Sequence, residues 1–198
     1  MKNITRIALA LVIVVLIYLI YDSIMAPVRF NQDKNARYDV VIQKMKDIRD
    51  IQKFFRSKYR HYTGDFDSLF SFAQSGMIPV IKLIPDPADT TFTRSISDTI
   101  GHVSVYDSLF GKREKFNLAR LNHLAFGNDA KIILTAGMID KGGLKVPVFE
   151  AKASNFDVLF GLDEQMIINL NAAIEAANKF PGLRVGNMTE VSTDGNWE

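Results

Sequence analysis

The first strong pattern in the chain is an unbroken apolar run near its start. Residues 7–21 are apolar throughout, with Arg6 before them and Asp22 after them. A helix of this length reaches about 22 Å, and the apolar residues 24–26 together with a snorkelling Arg6 extend it toward the roughly 30 Å of a hydrocarbon core. The run therefore predicts a membrane anchor within residues 1–30 that contacts lipid through residues 7–26.

A cleaved signal peptide is the alternative, because it shares the basic start and the apolar centre. Cleavage after Ala26 would place the bulky Ile24 where a small residue is preferred, so we expect the anchor to be retained. Basic residues flank the run almost equally, but acidic residues occur only on its C-terminal side. We expect a single-pass inner-membrane protein with a short cytoplasmic tail and a C-terminal domain facing the periplasm or the cell exterior.

A second pattern, with the period of an amphipathic helix, occupies residues 38–60. One face is nearly all apolar and carries Tyr38, Val41, Ile42, Met45, Ile48, Ile51, Gln52, Phe55 and Tyr59. The opposite face carries Lys44, Lys46, Asp47, Asp50, Lys53 and Arg56. We expect this charged face to be solvated, and a patch for anionic lipid or an acidic partner is the alternative. At Pro27 the sequence leaves two alternatives open, a kink between anchor and stalk or two helices that are nearly continuous.

Beyond the stalk, short helical and strand patterns alternate. Strand candidates lie at 80–84, 102–106, 131–136, 144–151 and 183–191. Helices are expected after Asp65 or Asp67, with a stop at Gly76, and over residues 162–180, with Asp163 as the cap and Pro181 as the stop. Residues 116–126 suit a short helix or an irregular segment.

These patterns together predict an α+β domain over residues 31–198, including the stalk helix. The stalk is expected to pack on an antiparallel sheet that includes the arms Lys131–Ala136 and Leu144–Ala151, joined by a turn at residues 140–143. Pro147 cannot donate a hydrogen bond to a ladder, so the second arm is expected to be an edge at that point.

A five-residue box recurs three times, as FDSLF at 66–70, YDSLF at 106–110 and FDVLF at 156–160. On a helix its first, fourth and fifth positions share a face, whereas on a strand they would divide between two faces. The box therefore predicts a helical turn used for core packing, and the glycines after the second and third boxes predict left-handed stops. The unequal spacing argues against a tandem repeat.

The segment KYRHYTGDFDSLFSFAQSGMIP at 58–79 follows a long N-terminal helix that is apolar first and amphipathic later. This order resembles the type IV pilins and the pseudopilins of type II secretion over roughly the first 80 residues. The resemblance implies a helical anchor and stalk packed on a sheet, with subunits that assemble in the cell envelope. It does not extend to the glycine before the anchor at which the prepilin peptidase cleaves, or to the anchor glutamate.

Composition adds little to this picture. A net charge of +2 gives no reason to expect nucleic acid as a partner, and the chain has no cysteine for disulfides or thiolate chemistry. The three histidines are too scattered to show ligand spacing, and no phosphate cradle or nucleophile elbow is present. We therefore expect no enzymatic activity, no cofactor and no metal.

The sequence favours a structural subunit of a bacterial envelope assembly, with homo- or hetero-oligomeric contacts to other envelope proteins. A membrane-tethered module whose head captures a protein or another ligand is the alternative. Partner contacts are expected at Tyr38, Val41 and Met45 on the stalk and at Trp197. Trp197 is also expected to fold back onto the head and hold the last strand.

Overall fold

The computed structural model describes residues 2–85, 95–113, 116–127 and 129–198. Its helices are α1 (Lys2–Tyr59), α2 (Phe66–Ser75), α3 (Val105–Phe110), α4 (Asn155–Val158) and α5 (Glu164–Ala176). Its strands are β1 (Met77–Pro85), β2 (Ser95–Ser104), β3 (Ile133–Lys141), β4 (Leu144–Ser154) and β5 (Gly182–Gly186). A short 3₁₀ turn lies at Leu118–Arg120. The fold is the predicted mixture of helices and antiparallel sheets.

Helix α1 runs for 58 residues and contains Pro27 without interruption. Proline removes one backbone donor and crowds the preceding turn, which is why a kink at this point was one of the two alternatives. Asp22 and Arg29 form an ion pair along the helix surface that spans the proline. The predicted anchor and stalk are thus one helix.

The second half of α1 is the centre of the folded head. Its buried apolar residues are Val41, Met45, Ile48, Ile51 and Phe55, and Phe30 is the first buried residue among the described side chains of the helix. The head closes around them with Leu69 and Phe72 of α2, Phe110 of α3, Phe149 and Ala151 of β4, and Val185 of β5. The stalk therefore packs on the sheet as predicted, mainly through β5.

The main sheet has three strands in the order β3-β4-β5, all antiparallel. Lys141 pairs with Leu144, and the two residues between them, Gly142 and Gly143, both have positive φ, as a tight hairpin turn of this length requires. β5 pairs with β4 only from Glu150 onward. Pro147 therefore has a neighbour on one side only, which confirms the predicted edge.

Strands β1 and β2 form a separate two-stranded ribbon with a bulge at Val80 and Ile81. The predicted second strand, 102–106, extends too far, because Ser104 caps α3 and Val105 begins that helix. β2 also begins earlier than predicted, at Ser95, and residues 86–94 lie outside the described residues.

All three boxes form helical turns, which confirms that prediction, but their details differ. The first lies in α2 with Asp65 as its cap, the second in α3, and the third begins in α4. Gly161 has a positive φ of 80° as expected, whereas Gly111 has a right-handed φ of −57°, so the left-handed stop after the second box is wrong. The shared sequence pattern therefore predicts the helical turn but not the backbone conformation of the glycine that follows it.

Helix α5 begins after the predicted cap, Asp163, and ends earlier than predicted. Its last residue is Ala176, and Asn178 takes a positive φ of 55°. Asparagine tolerates this left-handed conformation better than most residues, so it ends the helix before Pro181. Residues 116–126 form only the 3₁₀ turn and otherwise irregular backbone.

Candidate partner-contact surfaces

The first candidate surface is the arm of α1 that precedes the head. Every large apolar side chain from Ile7 to Tyr21 is exposed, from 47% at Val15 to 67% at Ile7. By length and composition this helix is able to cross a membrane. An apolar surface that surrounds a helix on all sides requires lipid or other protein around it, because water solvates it poorly.

Two of the predicted contact residues, Val41 and Met45, are completely buried in the head's own core. Their side chains therefore have no surface to offer a partner in this folded state. The sequence pattern could not separate a helix face that packs within the chain from one that packs on another chain, because both are apolar stripes of the same period.

Tyr38 is half-buried, and its hydroxyl serves the head. It donates a hydrogen bond of 2.5 Å to Oδ1 of Asn155, which is fully buried. Asn155 in turn donates to Oδ1 of Asn171 at 2.7 Å. Burial raises the pKa of Tyr38 above its ordinary 10.0, and the bond to Asn155 offsets part of that rise. The tyrosine thus remains a protonated donor that ties α1 to α4 and α5.

The C-terminal segment folds back along β5. Asn196 donates its backbone N–H to the carbonyl of Arg184 at 2.9 Å, and Gly186 donates to Asp194 at 2.9 Å. Trp197 is partly buried against the core, and its Nε1 is buried without a hydrogen-bond partner among the described residues. The predicted fold-back of Trp197 is confirmed, while its contact with a partner stays a prediction.

Glu198 fastens the same segment to α1. Its carboxylate accepts from the Arg49 guanidinium at 2.7 Å. That hydrogen bond, together with one from the Gly195 N–H and the positive charges of Arg49 and Lys46, holds the pKa of Glu198 below its ordinary value of 4.5. Residues 194–198 therefore form a fixed strip beside β5 and α1.

The charged face of the stalk is less solvated than its pattern suggested. Asp47 is 5% exposed and accepts from Arg113 at 2.7 Å and from Gln43 at 3.0 Å. Lys44 donates to the backbone carbonyls of Arg120 and His123. The expectation of a solvated face with some local pairing fits Lys53 and Arg56, which are exposed. It is wrong at Asp47, because the segment after α3 crosses over this part of the face and Arg113 pairs with the buried carboxylate.

The third box supplies a surface that the sequence did not reveal. Phe156 and Phe160 are 53% and 49% exposed, although the box was expected to pack in the core. Its third and fourth residues, Val158 and Leu159, are fully buried. Because α4 has a single turn, the first and fifth positions need not lie on one buried face. The exposed rings border a cleft of about 530 Å³ that also contains Leu162, Glu164 and Ile167.

Arg37 fixes this aromatic surface relative to α1. Its guanidinium donates to the carbonyls of Val158 at 3.3 Å and Phe160 at 2.7 Å. These carbonyls lie at the C-terminal end of α4 and just beyond it, where a cation is a favourable partner. The same guanidinium lies 5.1 Å from the ring centre of Phe126. Arg37 therefore ties the backbone that carries Phe160 to α1.

The β1–β2 ribbon is the third candidate surface. It carries exposed apolar side chains at Met77, Val80, Ile81, Ile84, Ile100 and Val103. Two strands alone are only marginally stable in water. The exposed apolar side chains of this ribbon leave a large apolar surface in contact with water. This ribbon is therefore suited to contact with another surface.

The described part of the chain shows few groupings of side chains that suit catalysis or metal binding. There, no group of three or more histidine, aspartate or glutamate side chains is placed to hold a metal ion. The buried carboxylates Asp47 and Glu150 are paired with arginine or lysine. What the geometry offers is contact surface: an apolar arm, an aromatic patch and an apolar ribbon.

Comparison of the chain with protein-family models, with characterised proteins and with solved structures gave no match.

Proposed function

We propose that this protein is a structural subunit of a bacterial envelope assembly, built on a pilin- or pseudopilin-like plan. Its N-terminal arm lies in the inner membrane, and its head faces the periplasm or the cell exterior. The arm contacts neighbouring subunits as well as lipid. The head adds further contacts through the aromatic patch of Phe156 and Phe160.

The observation that carries this proposal is the continuity of α1. A protein that only needs to be held at a membrane requires no defined geometry between anchor and head, and a flexible linker is sufficient. Here the exposed arm passes into the core of the head without a loop. A contact made by the arm therefore fixes the orientation of the head, which is what a subunit of an ordered assembly requires.

Cysteine cross-linking in membranes tests the proposal directly, because the chain contains no cysteine of its own. Ile17→Cys in the arm is expected to give a covalent dimer with a second copy or a conjugate with another envelope protein on mild oxidation. Lys141→Cys, at the distant and exposed turn between β3 and β4, is the matched control and is expected to remain monomeric.

Exchange of the arm separates assembly from simple anchoring. Residues 7–21 are replaced by an unrelated apolar helix of equal length that carries a cysteine at position 17. The chain is expected to remain in the membrane fraction and to lose the cross-link, since the side chains that match the neighbour are gone. Subunit function would be contradicted if the exchanged arm cross-linked as well as Ile17→Cys in the original arm. It would also be contradicted if Ile17→Cys gave no cross-link at all.

The β1–β2 ribbon favours a second candidate, a membrane-tethered module whose head captures a protein. In that case exchange of the arm is harmless, and the ribbon carries the contact. Substitution of Ile81 and Ile100 by threonine, which keeps the β-branched shape, would then abolish capture while membrane insertion stays unchanged.

A further inference from the structure

A surface cleft of about 540 Å³ lies where the segment after the 3₁₀ turn crosses α1. Its lining includes Lys44, Arg120, His123 and Asp129, with Leu124 and Gly127 on its walls. Lys44 comes from α1, and the other lining residues come from the end of the 3₁₀ turn and the residues that follow it, up to Asp129. The volume is within the range of clefts that bind small molecules.

Lys44 is held in this cleft by backbone atoms. Its Nζ donates to the carbonyl of Arg120 at 3.0 Å and to the carbonyl of His123 at 2.5 Å. An ammonium group has three N–H bonds, so one has no partner among the described residues. Because its position is fixed in advance, this donor loses little conformational freedom when a ligand binds.

The cleft also contains more positive charge than its carboxylate neutralises. Partial burial lowers the pKa of Lys44 below 10.5, and the positive charge of Arg120, which lines the same cleft, lowers it further. Among the described residues neither cation has a carboxylate within the 4.0 Å of an ion pair, although Asp129 borders the same cleft. Two positive charges that line one partly enclosed cleft, against a single carboxylate, attract an anion.

We propose that this cleft binds a small oxyanion, a phosphate or a carboxylate group of a soluble molecule, between the Lys44 ammonium and the Arg120 guanidinium. A lipid headgroup is not the source, because Lys44 lies about 27 Å along the helix axis beyond Ala26, where the apolar arm ends. Arg120 supplies the planar fork of donors that suits an oxyanion, and Lys44 supplies a fixed point charge.

The test uses the full chain in detergent micelles and follows the amide of Gly127 and the ring of His123 by NMR. Inorganic phosphate and citrate are titrated separately at constant ionic strength against chloride. We expect a saturable response with a dissociation constant of about 1 mM or lower for at least one of them. Saturation by phosphate alone or by citrate alone identifies which oxyanion the cleft prefers.

Variants assign the response to the cleft. Arg120→Gln removes an exposed side chain and keeps the backbone carbonyl that Lys44 uses, so the head should fold normally. We expect its dissociation constant to rise about tenfold, the loss of one charge-assisted hydrogen bond, and Arg120→Lys to recover part of it. Lys141→Gln removes the same charge at a distant turn and should bind as the native chain does.

Two results would overturn the proposal. One is a linear response to phosphate and citrate that matches chloride and never saturates. The other is saturable binding that Arg120→Gln leaves unchanged, since the anion would then be held elsewhere on the molecule.

Discussion

Within α1, the arm and the stalk share a backbone conformation and have opposite surroundings. Residues 7–24 are exposed on every side, whereas Val41, Met45, Ile48 and Ile51 are completely buried. Both stretches are rich in branched aliphatic residues. What separates them is the arrangement of polar positions, which leaves the arm without a polar face and gives the stalk one.

The difference shows how one helix serves two environments. The stalk is stabilised by tertiary contacts inside the chain, as most protein helices are. The arm has no such contacts and requires lipid or a neighbouring subunit. A substitution in the stalk should therefore act on folding of the head, and the same substitution in the arm should act on membrane insertion or assembly.

The largest contrast is expected between Ile48→Ala and Ile17→Ala, the same change in the two halves. Ile48 is fully buried, so its truncation leaves a cavity and should lower the free energy of unfolding of the head by about 2–5 kcal/mol. Ile17 is 61% exposed and should change it by less than about 0.5 kcal/mol. Denaturant titration of the micelle-bound chain, followed by fluorescence of its single tryptophan, Trp197, measures both.

Equal effects of the two substitutions would mean that the arm is part of the folding unit of the head. The contrast between the two halves of α1 would then be wrong.

A smaller effect is expected from Arg113→Ala. Asp47 is buried and accepts from this arginine at 2.7 Å. Loss of the arginine leaves Gln43 as the one side-chain partner of the carboxylate among the described residues. We expect a loss of about 1–3 kcal/mol in the same unfolding measurement. Lys53→Ala is the control, because its pair with Asp50 is exposed and 3.7 Å long, and should cost less than about 0.5 kcal/mol. Similar losses for the two would show that Asp47 is solvated.

Tyr38→Phe probes the place where the exposed part of α1 passes into the head. The change removes one hydroxyl and leaves Oδ1 of the buried Asn155 without its donor, so we expect a loss of about 1 kcal/mol. The ring itself is kept, which isolates the hydrogen bond from packing. Tyr59→Phe, in the exposed last turn of α1, is the matched control and should have no measurable effect.

The smallest expected effect is on the free energy of unfolding at acidic pH. The folded-state pKa of Glu198 is depressed by Arg49, so its stabilising contribution is present above pH 4.5 and is lost as the pH falls through the lower folded value. Glu198→Gln should remove this part of the acid dependence of unfolding while Glu175→Gln, an exposed carboxylate on α5, should leave it in place. Identical pH profiles for the native chain and Glu198→Gln would contradict the fixed C-terminal strip.

Local sequence determined much of the fold. Gly142 and Gly143 fix a two-residue turn and hence the register of β3 with β4, and Asp65 and Asp163 cap the helices that follow them. The period of residues 38–60 predicted which face of α1 is buried. Each of these signals depends on residues close together in the chain, so it can be recognised without knowledge of the fold.

The candidate surfaces were less predictable. The sequence predicted the apolar arm but not the exposure of Phe156 and Phe160, because a box that packs in α2 has the same letters as one that does not. It predicted contact roles for Val41 and Met45, which the head uses itself. Whether an apolar side chain is covered depends on which distant segments reach it.

By itself, the sequence determined that the chain is α+β, where most helices begin, and that its first helix has an apolar arm and an amphipathic stalk. Only the tertiary structure decided that the charged face of the stalk is partly covered. There Asp47 accepts from Arg113, 66 residues away, and Lys44 donates to the carbonyl of Arg120, 76 residues away. The physical reason is that period and propensity act over a few residues, whereas ion pairs and burial depend on how distant segments pack together.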